Sequence, residues 1–395
     1  MSLKQNTIAV LVMLGLLAGC SSSSSLYEKN EIRRGGNDSF SGKIRINHAK
    51  GFTIDYHKNF KIVRILSPFE KNTDTMTYLL VQRGTPRPKG YPASQVIEIP
   101  VRSLVAMSSL HIGLVGFLEA EDVLTGLGNL MYVSSQRVID RIRSGKIVEV
   151  GKDQGLNEEL LVTMKPDLIM ATGSPVSKMS RYASLNAAGI PVLINSEWVE
   201  TTPLARAEWV KLLGALLNKE AEVNAKFEKV EKEYNRLADM GRKATAKPRL
   251  ITGMNSRDAW FVPNGNSYVC QFLKDAGGAY HWADTKATGS LPLSFEAVYP
   301  VALEADFWIN VSIGNIETKQ EILARDVRYA DFKAFKNGQI YGYNKRFNTQ
   351  GANDYWESGA VNPQDVLADL IKILHPELLP KWELVYYKKL LAVSY

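Results

Sequence analysis

The stretch from Thr202 to Gly241 most constrains what this chain can fold into. Thr202 offers a capping side chain, and Pro203 suits the first helical position, where its missing N–H costs nothing. Trp209, Leu213, Leu216, Val223, Phe227, Val230, Tyr234 and Leu237 recur at helical spacings. Lys219, Glu222, Lys226, Lys229 and Lys232 occupy the opposite, solvated face. Gly241 sits where a left-handed C-cap belongs. One helix of this length is unusual in a globular domain, and Asn218 tolerates a turn. The pattern therefore predicts two helices meeting near Asn218. The second, over 219–240, would be a rod of roughly 30 Å. Sequence of βα type flanks it on both sides, so the rod is expected to join two lobes.

The chain has 395 residues, more than one ordinary core, which favours two domains. No apolar run beyond the N-terminus is long enough for a membrane span. The net charge is +7, but acids and bases are interleaved and no basic stripe or nucleic-acid motif occurs. Nucleic acid is not an expected partner. Residues 1–19 combine Lys4, an apolar run over 8–17 and a small-residue cleavage site, the pattern of a signal peptide. Leu17-Ala18-Gly19-Cys20 resembles the bacterial lipobox, in which the cysteine becomes the lipidated first mature residue. The other reading is an ordinary secretory signal with a chance cysteine. The serines 21–25 and the polar tract after them predict a flexible tether over 20–43. Cys270, among Tyr268, Val269, Phe272 and Leu273, reads as a buried structural thiol.

Runs at 52–56, 61–65, 77–81 and 96–99 predict a small β-meander within 44–100. From 101 the period changes. Strands at 101–107, 122–127, 147–150, 167–171 and 190–194 alternate with helices at 111–118, 135–143, 157–164 and 178–188. Such alternation implies a parallel sheet covered on both faces. After the rod, strands at 249–254, 306–311 and 339–343 and helices at 268–276, 295–303, 318–323, 363–374 and 380–390 predict a second α/β lobe. The expected division is 44–217, a connecting helix over 218–241, and 242–395. Helices capped by Asn157 and Ser294 each lead into a strand begun by Asp167 or Asp306, an internal echo that any capped βα unit could share.

No phosphate loop, His-Glu-x-x-His helix, dinucleotide fingerprint or nucleophile elbow is present. The histidines are His48, His57, His111, His281 and His375, none at metal-ligand spacing from another. A direct metal site from scattered histidines and acids stays open, with His111 and His281 the two worth testing. The chain reads as a binder without an intrinsic cofactor, not as an enzyme.

Several motifs occur in a telling order: Val-Ala-Met-Ser-Ser-Leu-His at 105–111, Asn-Glu-Glu-Leu-Leu opening 157–170, Ala-Ala-Gly-Ile-Pro-Val at 187–192, Leu-Lys-Asp-Ala-Gly-Gly at 273–278, Ser-Phe-Glu at 294–296, and Phe-Lys-Asn-Gly-Gln-Ile-Tyr at 335–341. Together they resemble bacterial ABC-transporter substrate-binding lipoproteins of the ferric siderophore, haem and cobalamin type, over about residues 100–375. The resemblance implies an α/β fold: two Rossmann-like lobes with parallel sheets, joined by a long rigid α-helix that limits hinge bending. It implies a periplasmic monomer, lipid-anchored through Cys20, that binds a metal chelate between the lobes. A ferric siderophore comes first, then cobalamin or haem. The implied partner is an ABC permease dimer with its ATPase subunits. By motif position Glu159 and Glu296 would dock onto permease arginines; the alternative is that both are ordinary first-turn acids favouring a helix dipole.

Ligands of α/β sheets bind outside the carboxyl ends of strands. That rule selects Met107, Ser108, Ser109, Ser174 and Arg181 on the first lobe. On the second it selects Asn255, Arg257, Trp260, Lys345, Arg346, Tyr355 and Trp356. The three aromatics would pack on a chelate ring or else belong to a lobe core. The cations would pair with chelate oxygens or else lie at the surface. Competing functions are a receptor for bare Zn or Mn and a surface lipoprotein with no transport role.

Overall fold

The computed structural model describes residues 40, 42–69, 74–152, 155–173, 179–256, 259–311 and 316–391. Cys20 and the signal and tether positions through 39 lie outside them, as do Ser174, Arg257 and residues 312–315.

The first lobe is built on a five-stranded sheet in the order Val148–Glu149, Leu124–Leu127, Leu104–Ala106, Leu168–Thr172, Val192–Asn195. Every pairing in it is parallel. Leu104–Ala106, Val192–Asn195 and the first four residues of Leu168–Thr172 are continuous buried runs, as a sheet covered on both faces requires. Ser108, Ser135 and Asn157 each accept a backbone N–H and start the helices Ser109–Phe117, Gln136–Arg143 and Glu158–Met164.

Residues 44–100 form a four-stranded sheet of Phe52–Tyr56, Phe60–Ile65, Met76–Gln82 and Val96–Ile99. The first three strands are antiparallel. The fourth runs parallel to the third, because the Pro- and Gly-rich segment 84–92 carries the chain back along the sheet. The expected meander is corrected accordingly. This sheet is continuous with the first lobe's core: Tyr78 Oη donates to the Val192 carbonyl at 2.9 Å. The loop ahead of it is held by carboxylates. Glu208 accepts the N–H groups of Asn47, His48 and Ala49, and Glu200 those of Lys50 and Gly51. Phe40, which the sequence assigned to the tether, is buried in the same core.

The predicted long element resolves into three helices: Pro203–Ala207 capped by Thr202, Val210–Leu217, and Glu220–Arg242. Asn218 makes the break at φ 55°. The eight predicted apolar positions are all buried. Gly241 is not a C-cap. The helix runs through it to Arg242, and the residue is glycine because a Cβ there would stand 2.2 Å from the Asp275 carbonyl of the helix Tyr268–Asp275. Glycine is used for close packing at the far end of the rod.

The second lobe centres on Arg249–Thr252, parallel to Ala279–Tyr280 on one side and Phe307–Ile309 on the other. A three-stranded antiparallel insertion, Asn255–Ser256, Ala259–Pro263 and Ser290–Leu293, was not predicted. The expected helix over 380–390 is also corrected. Buried Asp369 accepts the N–H groups of Val385, Tyr386 and Tyr387, which holds that segment extended. Lys388–Lys389 then pairs antiparallel with Tyr341–Gly342.

Candidate ligand-binding cleft

Strand ends decide where a cavity forms. The turn after Val192–Asn195 presents Glu197, Trp198 and Val199. The end of Arg249–Thr252 presents Gly253 and Met254, and the end of Phe307–Ile309 presents Asn310. These ends face one another across a cavity of about 690 Å³. Phe261, Tyr268, Tyr343, Tyr355 and Trp356 add aromatic surface. A second compartment of about 460 Å³ adjoins it, lined by Ser108, Ser109, Tyr132, Glu197, Arg206 and Phe347. Tyr343 and Trp356 border both.

The aromatic wall is a packed unit. Tyr343 stacks on Tyr355 with centroids 4.5 Å apart, and Trp356 stands edge-on to both. Trp356 is 42% exposed and Phe261 54%, whereas Tyr355 is buried. Large exposed aromatics at a cavity mouth offer apolar contact at small conformational cost.

One ion pair lies in the wall. Arg206 Nη2 donates to Glu197 Oε1 at 2.9 Å, and the guanidinium sits 4.0 Å over the Tyr268 ring. Burial works against the arginine's charge, but Tyr268 and Glu197 hold its pKa above the ordinary value.

The sequence-selected residues divide. Ser108, Ser109, Tyr355 and Trp356 line the cleft. Trp260 does not: it is fully buried among Phe295, Trp308, Tyr329 and Phe332, with Nε1 donating to the Thr252 carbonyl at 2.8 Å. Lys345 is spent on the Leu384 carbonyl, and Arg346 pairs with Asp354 at 2.8 Å. Met107 packs in the first lobe, and neither Arg181 nor Asn255 lines either compartment. Sequence reasoning missed Glu197, Trp198, Arg206, Tyr268 and Tyr343. Applying the strand-end rule to the strand at 190–194 would have found the first two.

His111 is fully buried, and burial pushes its pKa down to about 3, so it is a neutral core residue. His281 lies outside both compartments, in a separate groove of about 760 Å³ with Arg249, Ala279 and Glu304. Among the described residues no three His, Cys, Asp or Glu side chains are placed to hold a metal ion. Cys270 is buried, and burial raises its thiol pKa. Glu159 and Glu296 are both exposed near the starts of their helices. Glu296 also meets Arg328 at 3.4 Å.

A family described as periplasmic binding protein matches residues 119–347. The chain belongs to that family. An uncharacterized lipoprotein of Methanocaldococcus jannaschii is 30% identical over 292 residues, covering 72% of this chain and 67% of the relative. A periplasmic heme-binding protein of Pseudomonas aeruginosa superposes with a TM-score of 0.54 at 17% identity, over 70% of this chain and 94% of that one. A periplasmic solute-binding protein of Veillonella parvula gives 0.54 at 16% identity, over 73% and 85%. At these identities the two structures establish the fold. This periplasmic binding protein thus has the two sheets and long helix expected from its sequence. Residues 40–118 and 348–391, which contribute Ser108, Ser109, Tyr355 and Trp356 to the cleft, flank the matched region. Among the described residues no helix is long and apolar enough to cross a membrane.

Proposed function

We propose that this protein is the substrate-binding component of an ABC importer, which captures a metal chelate in the cleft and delivers it to a membrane permease. The carrying observation is the aromatic-walled cavity of about 690 Å³ at the facing strand ends, a volume suited to a whole chelate rather than one bare ion. The lobes 44–217 and 242–395 supply the two walls, and 218–241 sets their spacing. Cys20 carries the lipid that keeps the receptor at the cell envelope, and no reaction is catalysed. The heme-binding relative of the same fold is in keeping with a large, metal-bearing ligand.

Calorimetric titration with ferric siderophores, haem and corrinoids should show saturable, one-to-one binding. Tight binding of bare Zn²⁺ or Mn²⁺ with no affinity for any chelate would refute the proposal.

Glu159 and Glu296 serve as the docking pair. Two carboxylates on a rigid frame meet two permease arginines bidentately, which fixes orientation and steers encounter. Charge reversal at both should abolish uptake into cells while ligand affinity stays within about twofold of the parent. Loss of ligand affinity would instead place these residues in the binding machinery.

A further inference from the structure

One charged pair in the cleft has incomplete bonding. The Glu197 and Arg206 side chains are only 7% and 15% exposed. Glu197 Oε2, Arg206 Nε and Trp198 Nε1 are buried without a hydrogen-bond partner among the described residues. All three belong to one short segment lining the two compartments. Unmade hydrogen bonds at buried polar atoms are costly, and in a cavity wall they mark groups that a ligand completes. Tyr268 covers one face of the guanidinium at 4.0 Å, so further bonding is confined to its edge.

The pair's charge balance restricts what can approach. Glu197 already matches the cation at 2.9 Å. A carboxylate or phenolate reaching Arg206 would also lie within a few ångströms of Glu197, where burial weakens screening. A neutral group that carries an acceptor beside a donor meets no such repulsion. Its carbonyl takes an N–H from the guanidinium edge or from Trp198, and its own N–H or O–H goes to Glu197 Oε2. Carboxamides have this arrangement; an iron-bound hydroxamate does not, since it has lost its O–H proton and both its oxygens are on the metal.

We propose that the Glu197–Arg206 pair selects chelates without net negative charge, edged with carboxamide groups, over catecholate and carboxylate chelates. This rests on the cleft being the chelate site. The test is calorimetry of the detergent-solubilised full chain with four probes. Cyanocobalamin and an uncharged ferric tris-hydroxamate with amide groups in its backbone are the neutral pair; a trianionic ferric tris-catecholate and haem are the anionic pair. At least one neutral probe should bind about tenfold or more tightly than both anionic ones. Glu197→Gln keeps the shape and removes the competing anion, so the tris-catecholate should gain about tenfold while the preferred neutral probe loses affinity. A purely structural role for Glu197 would lower all affinities alike. If the wild type prefers an anionic probe, the selectivity proposal falls and the cleft reading stands. If no probe binds, both fall. The wild-type ranking decides the matter alone should the variant fail to fold.

Discussion

Lys61→Ala is expected to lower the unfolding free energy by about 3–5 kcal/mol, read as a fall in the urea midpoint at unchanged slope. Lys61 lies on the strand Phe60–Ile65, whose alternate residues Lys61, Val63 and Ile65 are fully buried. The pleat therefore sends its ammonium inward. There it pairs with Glu220 at the first turn of the long helix, and donates to the Ala215 carbonyl at 2.7 Å and to Asn218 Oδ1 at 2.8 Å. Its ammonium also sits 4.4 Å over the Phe40 ring. Burial pushes its pKa down, and Glu220 partly offsets that. The lysine thus pins the break between two helices to the flanking sheet. Removing it strands the Glu220 carboxylate, which is 3% exposed. Replacing both partners, Lys61→Met with Glu220→Leu, should recover most of the loss, since the cost lies in the uncompensated charge. A single-variant loss below about 1 kcal/mol would show that water or a rearranged partner already solvates Glu220.

That lysine illustrates what the sequence could and could not reveal. Periodicity located the strand at 61–65 and the rod, because a 3.6-residue repeat and an alternating one are visible without coordinates. The inward face of the strand was not visible, since Phe60, Ile62 and Arg64 look no less suited to either side. The break at Asn218 was legible because few residues adopt a left-handed conformation cheaply. Gly241 was misread because close backbone approach and a C-cap both demand glycine, and only the neighbouring helix distinguishes them. Trp260 was ambiguous for a similar reason: an aromatic beside a strand end suits a cleft or a core equally. It fell to the core once Phe295, Trp308, Tyr329 and Phe332 converged on it. The segment 380–390 has helix-compatible composition, but its backbone is claimed by Asp369, a tertiary effect that no local window contains.

Raising the pH from about 5 to 8 is expected to cost the wild type roughly 2.5 kcal/mol of stability through Glu357 alone, a loss that Glu357→Gln should not show. Glu357 follows the cleft residues Tyr355 and Trp356, and its two oxygens accept the N–H groups of Ser134 and Ser135 at 2.7 and 2.8 Å. It thereby ties the aromatic wall to the start of the first-lobe helix Gln136–Arg143. Burial, chiefly, raises its pKa to about 7; Asp354 adds to the rise, while the two N–H groups and Arg346 oppose it. In the unfolded chain the same carboxyl titrates near its ordinary value of 4.5. Between those two values the folded state holds a proton that the unfolded state has released. The penalty is therefore absent below the unfolded pKa, grows as pH rises, and is complete above the folded one. Glutamine cannot ionise, so the variant's curve should run flatter, although it leaves one of the two N–H groups without an acceptor and starts lower at acid pH. Urea denaturation of both proteins across pH 5–8 measures the difference. Parallel curves would mean that Glu357 ionises normally in the fold, and that its clasp on Ser134 and Ser135 is open to water.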